Sequence, residues 1–322
     1  MNRNLFSNRR DVLKQWGLLT VAGGVTASVP VPAVAQELTF EEQPASRWRI
    51  GLSLKTPVTC VNVLATFPIP TDWPEQTVTL RSQNVDRSAR WQVRELPGGA
   101  KQVVVQIPRV NAGTTVEAMF EFDISRSRIL PPDETESLVI PKRLPRELRL
   151  YTGNSPFIDA SHRLIRSAAK EIEEQEFEND WRRVEKIYDY VRDKVEYTEG
   201  ELKNASDALK DGTGDCEEMT SLFVAICRNL DVPARVVWIP DHCYPEFYLE
   251  DEGGEGRWYP CQAAGTRQFG RMDEIRPVLQ KGDRFKLPEK KVPVRYISEF
   301  FRCDRRGSGT PDPTFVRQRI DG

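Results

Sequence analysis

The residues best suited to catalysis in this chain are one cysteine and one histidine that lie close together in sequence. Cys216 ends the glycine-rich run Gly212-Thr213-Gly214-Asp215-Cys216 and opens an amphipathic helical pattern, and His242 follows at the start of a strand-like run. His242 is one of only two histidines in the chain. A helix N-terminus favours the thiolate form of a cysteine, because its unpaired N–H groups carry a partial positive charge. The pattern therefore predicts a nucleophilic Cys216 paired with His242 as its base.

A segment of alternating apolar and polar residues precedes this pair. Over residues 46–130 the apolar residues recur with period two, which is typical of strands with one buried and one exposed face. Pro97-Gly98-Gly99 and Asn111-Ala112-Gly113 mark turns between the strands. We predict a β-sandwich domain over this range, and we assign it a packing or substrate-positioning role only.

Helical periodicity replaces the alternation after a proline-marked linker at 131–147. Asp215 is a suitable N-cap for the helix that begins at Cys216, and three short strand-like runs follow that helix. Helices followed by antiparallel strands indicate an α+β core, which we place at 148–270. Residues 271–322 carry no informative pattern and are assigned to a C-terminal extension that wraps the core.

The order of these segments resembles the transglutaminase-like core. The resemblance is carried by DGTGDCEEMTSLFVAICRNLDVPARVVW, then HCYPEFYLE, then RWYPCQ, and it covers roughly residues 150–265. It implies a papain-like arrangement with Cys216 as nucleophile and His242 as base. The aspartate that orients the histidine in this family falls at Gln262, four residues after Trp258. A glutamine carries no charge, but its amide oxygen still accepts a hydrogen bond from the imidazole and fixes the tautomer.

Three other residues are candidates for supporting roles around the nucleophile. The backbone N–H of Cys216 is one oxyanion donor, and Tyr197 is a candidate for the second, with a core tyrosine as the alternative. Asp215 would hold the turn before the helix. The resemblance places Tyr244 where many family members carry a tryptophan, two residues after the histidine.

The cysteine spacing suggests one cross-strand disulfide. If His242 faces Gln262 across an antiparallel pair, then Cys243 faces Cys261, and both point away from the catalytic face. We therefore predict a Cys243–Cys261 bridge, with two buried free thiols as the alternative.

The other cysteines and the two histidines give no sign of a metal site. Cys227 fits a core position, and Cys60 and Cys303 are either buried thiols or a bridge with each other. The chain has no CxxC spacing, so we expect no zinc ribbon, no redox pair, and neither metal nor cofactor. His162 is expected to be a satisfied or surface histidine.

The first 35 residues read as a targeting signal. They contain Asn8-Arg9-Arg10-Asp11-Val12-Leu13-Lys14, then an apolar stretch, then Ala33-Val34-Ala35 before Gln36. This is a twin-arginine export pattern with a cleavage site, and it predicts a periplasmic or other extracytoplasmic protein. A general secretory signal and an uncleaved anchor are the alternatives.

The charge of the mature chain excludes two classes of partner. Removal of residues 1–35 takes away four Lys/Arg and one Asp, so the formal charge changes from −2 to −5. A mildly acidic chain without a basic patch is not suited to nucleic acids or to anionic membranes.

Three functions remain open from the sequence. The first is an exported cysteine hydrolase, a peptidase or amidase that acts on a peptide or protein substrate through an acyl-enzyme. The second is a protein-glutamine transglutaminase, in which an amine resolves the thioester. The third is a catalytically weak binding or scaffold module, which Gln262 favours because it replaces the family's aspartate.

Overall fold

A computed structural model describes residues 38–320 of the chain. All of them belong to one compact unit. The predicted export signal at residues 1–35 lies outside the described residues, so it stays a prediction. Between residues 38 and 320, no helix combines the length and apolarity needed to cross a bilayer.

The regular elements follow the predicted order of strands, helices and strands. The helices are α1 (Arg163–Glu173), α2 (Asp180–Lys194), α3 (Ala205–Asp211) and α4 (Cys216–Asn229), with a short 3₁₀ turn at Leu148–Tyr151. The strands are β1 (Phe40–Glu41), β2 (Ser46–Lys55), β3 (Thr59–Ile69), β4 (Gln76–Val85), β5 (Arg90–Glu95), β6 (Lys101–Val110), β7 (Thr115–Arg126), β8 (Arg128–Ile129), β9 (Glu196–Tyr197), β10 (Thr213–Gly214), β11 (Ala234–Ile239), β12 (His242–Glu250), β13 (Gly256–Pro260), β14 (Gln280–Lys281), β15 (Phe300–Arg306) and β16 (Asp312–Arg319). The protein is α+β, as the sequence predicts.

Two four-stranded antiparallel sheets pack against each other as a β-sandwich. Their strand orders are β15-β3-β6-β5 and β16-β2-β7-β4. Along β7 every second residue from Val116 to Ile124 is buried, and Phe67 of β3 packs against Phe120 with ring centroids 6.1 Å apart. The period-two alternation therefore produces a closed apolar interior between the sheets.

The C-terminal segment does not form a separate extension. β15 pairs with β3 and β16 pairs with β2, so residues beyond 300 supply one edge strand to each sheet of the sandwich. β14 pairs with β11 of the other sheet. From residue 271 to residue 320 the chain thus passes from the core to the sandwich and adds one strand to the core sheet and one to each sheet of the sandwich. The short strands of this segment lack a clear alternation, so the sequence pattern alone did not indicate these pairings.

The helices pack on one face of a third four-stranded antiparallel sheet, whose strand order is β13-β12-β11-β14. Helix α4 lies on this face, against β11 and β12 and beneath the other three helices. Almost all of α4 after its first two residues is buried, in agreement with its strongly apolar sequence. Cys216 of the predicted catalytic pair lies on this central helix, and His242 lies on the sheet below it.

The opposite face of this sheet is tied to the sandwich by buried charges. Lys281 Nζ lies 2.6 Å from Glu246 and 2.7 Å from Glu75, and Glu75 lies 2.9 Å from Arg126 at the end of β7. Arg235 pairs with Glu246 from β11 at 2.7 Å. Each of these buried charged groups lies beside a group of opposite charge. The ion pairs of Glu246 therefore hold β12, the strand that also carries His242, against the sandwich.

Candidate active site

Cys216 is the first residue of α4, and the turn before it is closed by a capping box. The Asp215 carboxylate accepts from the backbone N–H of Glu217 at 2.7 Å, and the Glu218 carboxylate accepts from the N–H of Asp215 at 2.9 Å. Gly214 permits this closure, because a Cβ at that position would lie 2.6 Å from the Cβ of Glu218. The cap fixes the position of the half-buried Cys216 thiol at the helix N-terminus.

His242 is placed beside this helix start by a tight hairpin. Pro240 and Asp241 connect β11 to β12, and Ile239 pairs with His242 across the turn. Asp241 has a φ of 57°, a left-handed conformation that aspartate adopts more readily than most residues. From this corner of the sheet the imidazole lines the same cleft as the Cys216 thiol.

Gln262 completes a line of three side chains. Its Oε1 lies 3.1 Å from Nε2 of His242, so Nδ1 is the ring nitrogen that remains available to the thiol. The backbone of Gln262 is held on both sides, since its N–H donates to Gln268 at 2.8 Å and its carbonyl accepts from Arg192 at 3.1 Å. The structure thus brings together the three residues that the sequence analysis named as catalytic.

The surroundings of the pair favour the ionised forms. The contact with the Cys243 thiol, opposed by burial and then assisted by His242, lowers the pKa of Cys216 to about 5. Burial acts to lower the pKa of His242, but its hydrogen bonds with Cys216 and Gln262 outweigh burial and raise it. At neutral pH this arrangement supports a thiolate beside an imidazolium.

The pair opens onto a cleft of about 580 Å³. Its wall includes residues from the C-terminal segment that carried no signal in the sequence, namely Arg295, Tyr296 and Arg317. Arg295 lies over the Trp238 ring at 4.9 Å and forms an ion pair with Glu217, the residue after the nucleophile. One side of the cleft is therefore built by a segment far from Cys216 in sequence.

The two candidate tyrosines have different positions. Tyr197 lines the cleft with 53% of its surface exposed, because β9 pairs with β10 directly before the nucleophile. Tyr244 is fully buried on the far face of the sheet, where its hydroxyl accepts from Arg126 at 2.8 Å. The expectation that Tyr244 supports the site is wrong. Tyr244 and His242 lie on the same face of β12. His242 is at the end of the strand next to the cleft, whereas Tyr244 lies further along the strand and does not reach the cleft.

The predicted Cys243–Cys261 disulfide is also wrong. All six cysteines lie in the described residues, and all are free thiols. Glu246 pairs with Pro260, and Cys261 donates its N–H to Pro245, so the true register places Cys261 two residues along the strand from the position opposite Cys243. Both side chains face α4 rather than the far side of the sheet, and both belong to the buried core around that helix.

Cys243 is the residue of the site that the sequence analysis misplaced. Its Sγ lies 3.5 Å from the carbonyl oxygen of Cys216, and its thiol is the main group that lowers the pKa of Cys216. The sequence shows that Cys243 follows His242 directly. Strand alternation, however, predicted that its side chain points away from the catalytic face, and this prediction is wrong. Within residues 38–320 no cluster of three or more His, Cys, Asp or Glu side chains is arranged to hold a metal ion.

Comparisons with known proteins agree with this geometry. Residues 166–263 match the family model of the transglutaminase-like superfamily, a range that contains Cys216, His242 and Gln262. The fold is similar to the crystal structure of a "Putative Cysteine Protease from Cytophaga hutchinsonii", with a TM-score of 0.54 and 18% identity over 88% of this chain and 94% of that one. No curated protein matches the sequence. The core of the chain, residues 166–263, is therefore similar to the transglutaminase-like superfamily.

Proposed function

We propose that the protein is a cysteine hydrolase that cleaves an amide bond in a peptide or protein. The observation that carries the proposal is the line of Cys216, His242 and Gln262 at the edge of an open cleft. A structural cysteine has no need of a low pKa, a histidine contact and access to solvent at the same time.

The first chemical step is attack of the Cys216 thiolate on the carbonyl carbon of the amide. The developing oxyanion accepts a hydrogen bond from the backbone N–H of Cys216. This N–H lies in the first turn of α4 and is not one of those that donate to the Asp215 carboxylate. The C–N bond then breaks, and the imidazolium of His242 gives its proton to the leaving amine. The product is a thioester on Cys216 and a neutral imidazole.

The second step regenerates the thiolate. Neutral His242 takes a proton from water as the water oxygen attacks the thioester, and the acid product leaves. Gln262 keeps the imidazole in one orientation through both steps. An amine in place of water would give transamidation from the same thioester, so the two reactions differ only in the second substrate.

We also propose that residues 1–35 direct export through the twin-arginine route, and that the mature protein acts outside the cytoplasm. The support is the motif and the small-residue cleavage site in the sequence. Cell fractionation with Arg9→Lys/Arg10→Lys as the control tests this proposal. Unchanged export of that variant would contradict the twin-arginine route.

The enzymatic proposal is tested with the mature protein, a peptide library and an amine donor, followed by mass spectrometry. Peptide cleavage or ammonia release without amine incorporation, absent in Cys216→Ala, supports the hydrolase. Incorporation of the amine would select the transglutaminase. Alkylation of Cys216 by iodoacetamide at the rate of an ordinary thiol, unchanged in His242→Ala, would select the scaffold and overturn the proposal.

A further inference from the structure

A second thiol lies against the candidate nucleophile. Cys243 is 1% exposed, and its Sγ lies 3.5 Å from the carbonyl oxygen of Cys216. Besides burial, the pKa of this thiol responds to the Cys216 sulfur, which raises it, and to the hydroxyl of Thr220, one turn further along α4, which lowers it. Cys243 therefore packs beneath the first turn of the helix, with two groups of Cys216 within its reach.

The protonation of these two thiols is expected to differ. Burial, with the adjacent Cys216 sulfur, raises the pKa of Cys243 well above the ordinary thiol value, so Cys243 keeps its proton at neutral pH. Cys216 lies at a helix N-terminus beside His242 and loses its proton more easily. A protonated thiol next to a thiolate is a hydrogen-bond donor, and a bond to a charged acceptor is stronger than one to a neutral carbonyl.

We propose that Cys243 is a positioning residue that holds the Cys216 sulfur in its ionised form by donating an S–H hydrogen bond to it. The inference rests on the proposed function of Cys216 as nucleophile. When Cys216 is ionised, the S–H points to its sulfur. When Cys216 is neutral or acylated, the S–H turns to the carbonyl oxygen 3.5 Å away, which is its acceptor in this structure. The Thr220 hydroxyl can donate to the Cys243 sulfur from the other side.

The charges around Cys216 explain why such a donor matters. Groups that disfavour a thiolate lie on its own turn, while the groups that favour it come from β12 and from the segment after β13. The former are the carboxylates of Asp215 and Glu217, and the latter are His242, Cys243 and Arg276. Two carboxylates next to the sulfur raise the cost of ionisation, so removal of one donor has a measurable effect.

The experiment is the pH dependence of iodoacetamide alkylation of Cys216 in the full mature chain, followed on the Cys216 peptide by mass spectrometry. We expect Cys243→Ala to move the midpoint upward by about one pH unit, a tenfold loss of thiolate below the midpoint. Cys243→Ser keeps a hydroxyl donor and is expected to stay at or below the wild-type midpoint. Cys261→Ala, an equally buried thiol facing the same helix, is the matched control and is expected to change nothing.

The possible results separate this inference from the proposed function. An unchanged midpoint in Cys243→Ala, or an equal shift in Cys261→Ala, overturns the role of Cys243 but leaves a reactive Cys216 in place. An ordinary thiol midpoint in the wild-type protein overturns both. Cys243→Val provides a second variant without a donor if the alanine variant does not fold, and the same upward shift is expected for it.

Discussion

Nε2 of His242 lies 3.1 Å from the side-chain oxygen of Gln262, so the imidazole is oriented by a neutral amide. A carboxylate at this position would add a negative charge that stabilises the imidazolium in both steps. Here the neighbouring thiolate is the main negative charge that the imidazolium faces, and Gln262 contributes direction rather than charge. A preformed thiolate–imidazolium pair needs less help from a third charge than a serine nucleophile does.

Gln262 can therefore be tested for orientation and for charge separately. Gln262→Ala removes the acceptor, and we expect kcat/KM to fall on the order of 100-fold, the scale seen when a residue that orients a functional histidine is removed. Gln262→Glu keeps the length and adds a charge, so it should raise the pKa of His242 and extend activity to higher pH. The measurement is the pH profile of kcat/KM for both variants. Full activity in Gln262→Ala would show that the contact does not orient the base.

The pH dependence of the wild-type enzyme follows from the two shifted groups. As pH falls through about 5, the Cys216 thiolate takes up a proton and activity is lost. As pH rises through the raised pKa of His242, the imidazolium loses its proton and cannot protonate the leaving amine. We expect a bell-shaped kcat/KM profile whose apparent pKa values belong to the pair. In Cys243→Ala only the acid limb should move appreciably, and a profile that rises steadily to pH 9 would contradict the ion pair.

A buried ion pair at the far end of α4 should dominate the stability of the core. Arg228 Nη2 lies 2.9 and 2.8 Å from the two carboxylate oxygens of Asp283, and both side chains are at most 1% exposed. Asp283→Ala leaves the guanidinium buried without its counter-charge, so we expect a loss of about 3–5 kcal/mol in the free energy of unfolding. Urea denaturation measures it.

An exposed ion pair on α1 provides the control for that measurement. Lys170 and Glu174 lie one helical turn apart, and both are more than two-thirds exposed. Solvent screens such pairs, so Glu174→Ala should cost less than about 0.5 kcal/mol. Equal losses in Asp283→Ala and Glu174→Ala would show that the buried pair contributes no more than the surface pair.

Cys60 and Cys303 are the pair best placed to form a disulfide on oxidation. They lie on the neighbouring strands β3 and β15, and their sulfurs are 3.4 Å apart as free thiols. Burial and the contact with Cys60 raise the pKa of Cys303 to about 11, so the reaction should be slow at pH 7 and faster as pH rises. In a Cys216→Ala background, we expect oxidised glutathione to yield a Cys60–Cys303 cross-linked peptide on mass spectrometry.

The same oxidation experiment tests the strand register between β12 and β13. Cys243 and Cys261 should remain free, because the observed pairing sets them two residues apart along the strands. Cys303→Ser is the control that should abolish the cross-link. A Cys243–Cys261 peptide forming first would contradict the register.

Elements whose signals are local could be predicted from the order of residues alone. The capping residue Asp215, the apolar face of α4 and the period-two alternation of β7 each follow from short-range geometry, and the structure has all three. The candidate pair of Cys216 and His242 was also accessible, because a helix start and a hairpin corner mark their positions in the chain.

Contacts that depend on strand register or on distant segments could be identified only in the folded protein. A two-residue change in the pairing of β12 with β13 removed the expected disulfide, and the end-of-strand position of His242 placed Cys243, rather than Tyr244, beside the nucleophile. Arg295 reaches the cleft from a segment that also completes the sandwich. Such contacts arise when elements far apart in sequence pack together, and no local pattern of residues encodes the distance between them.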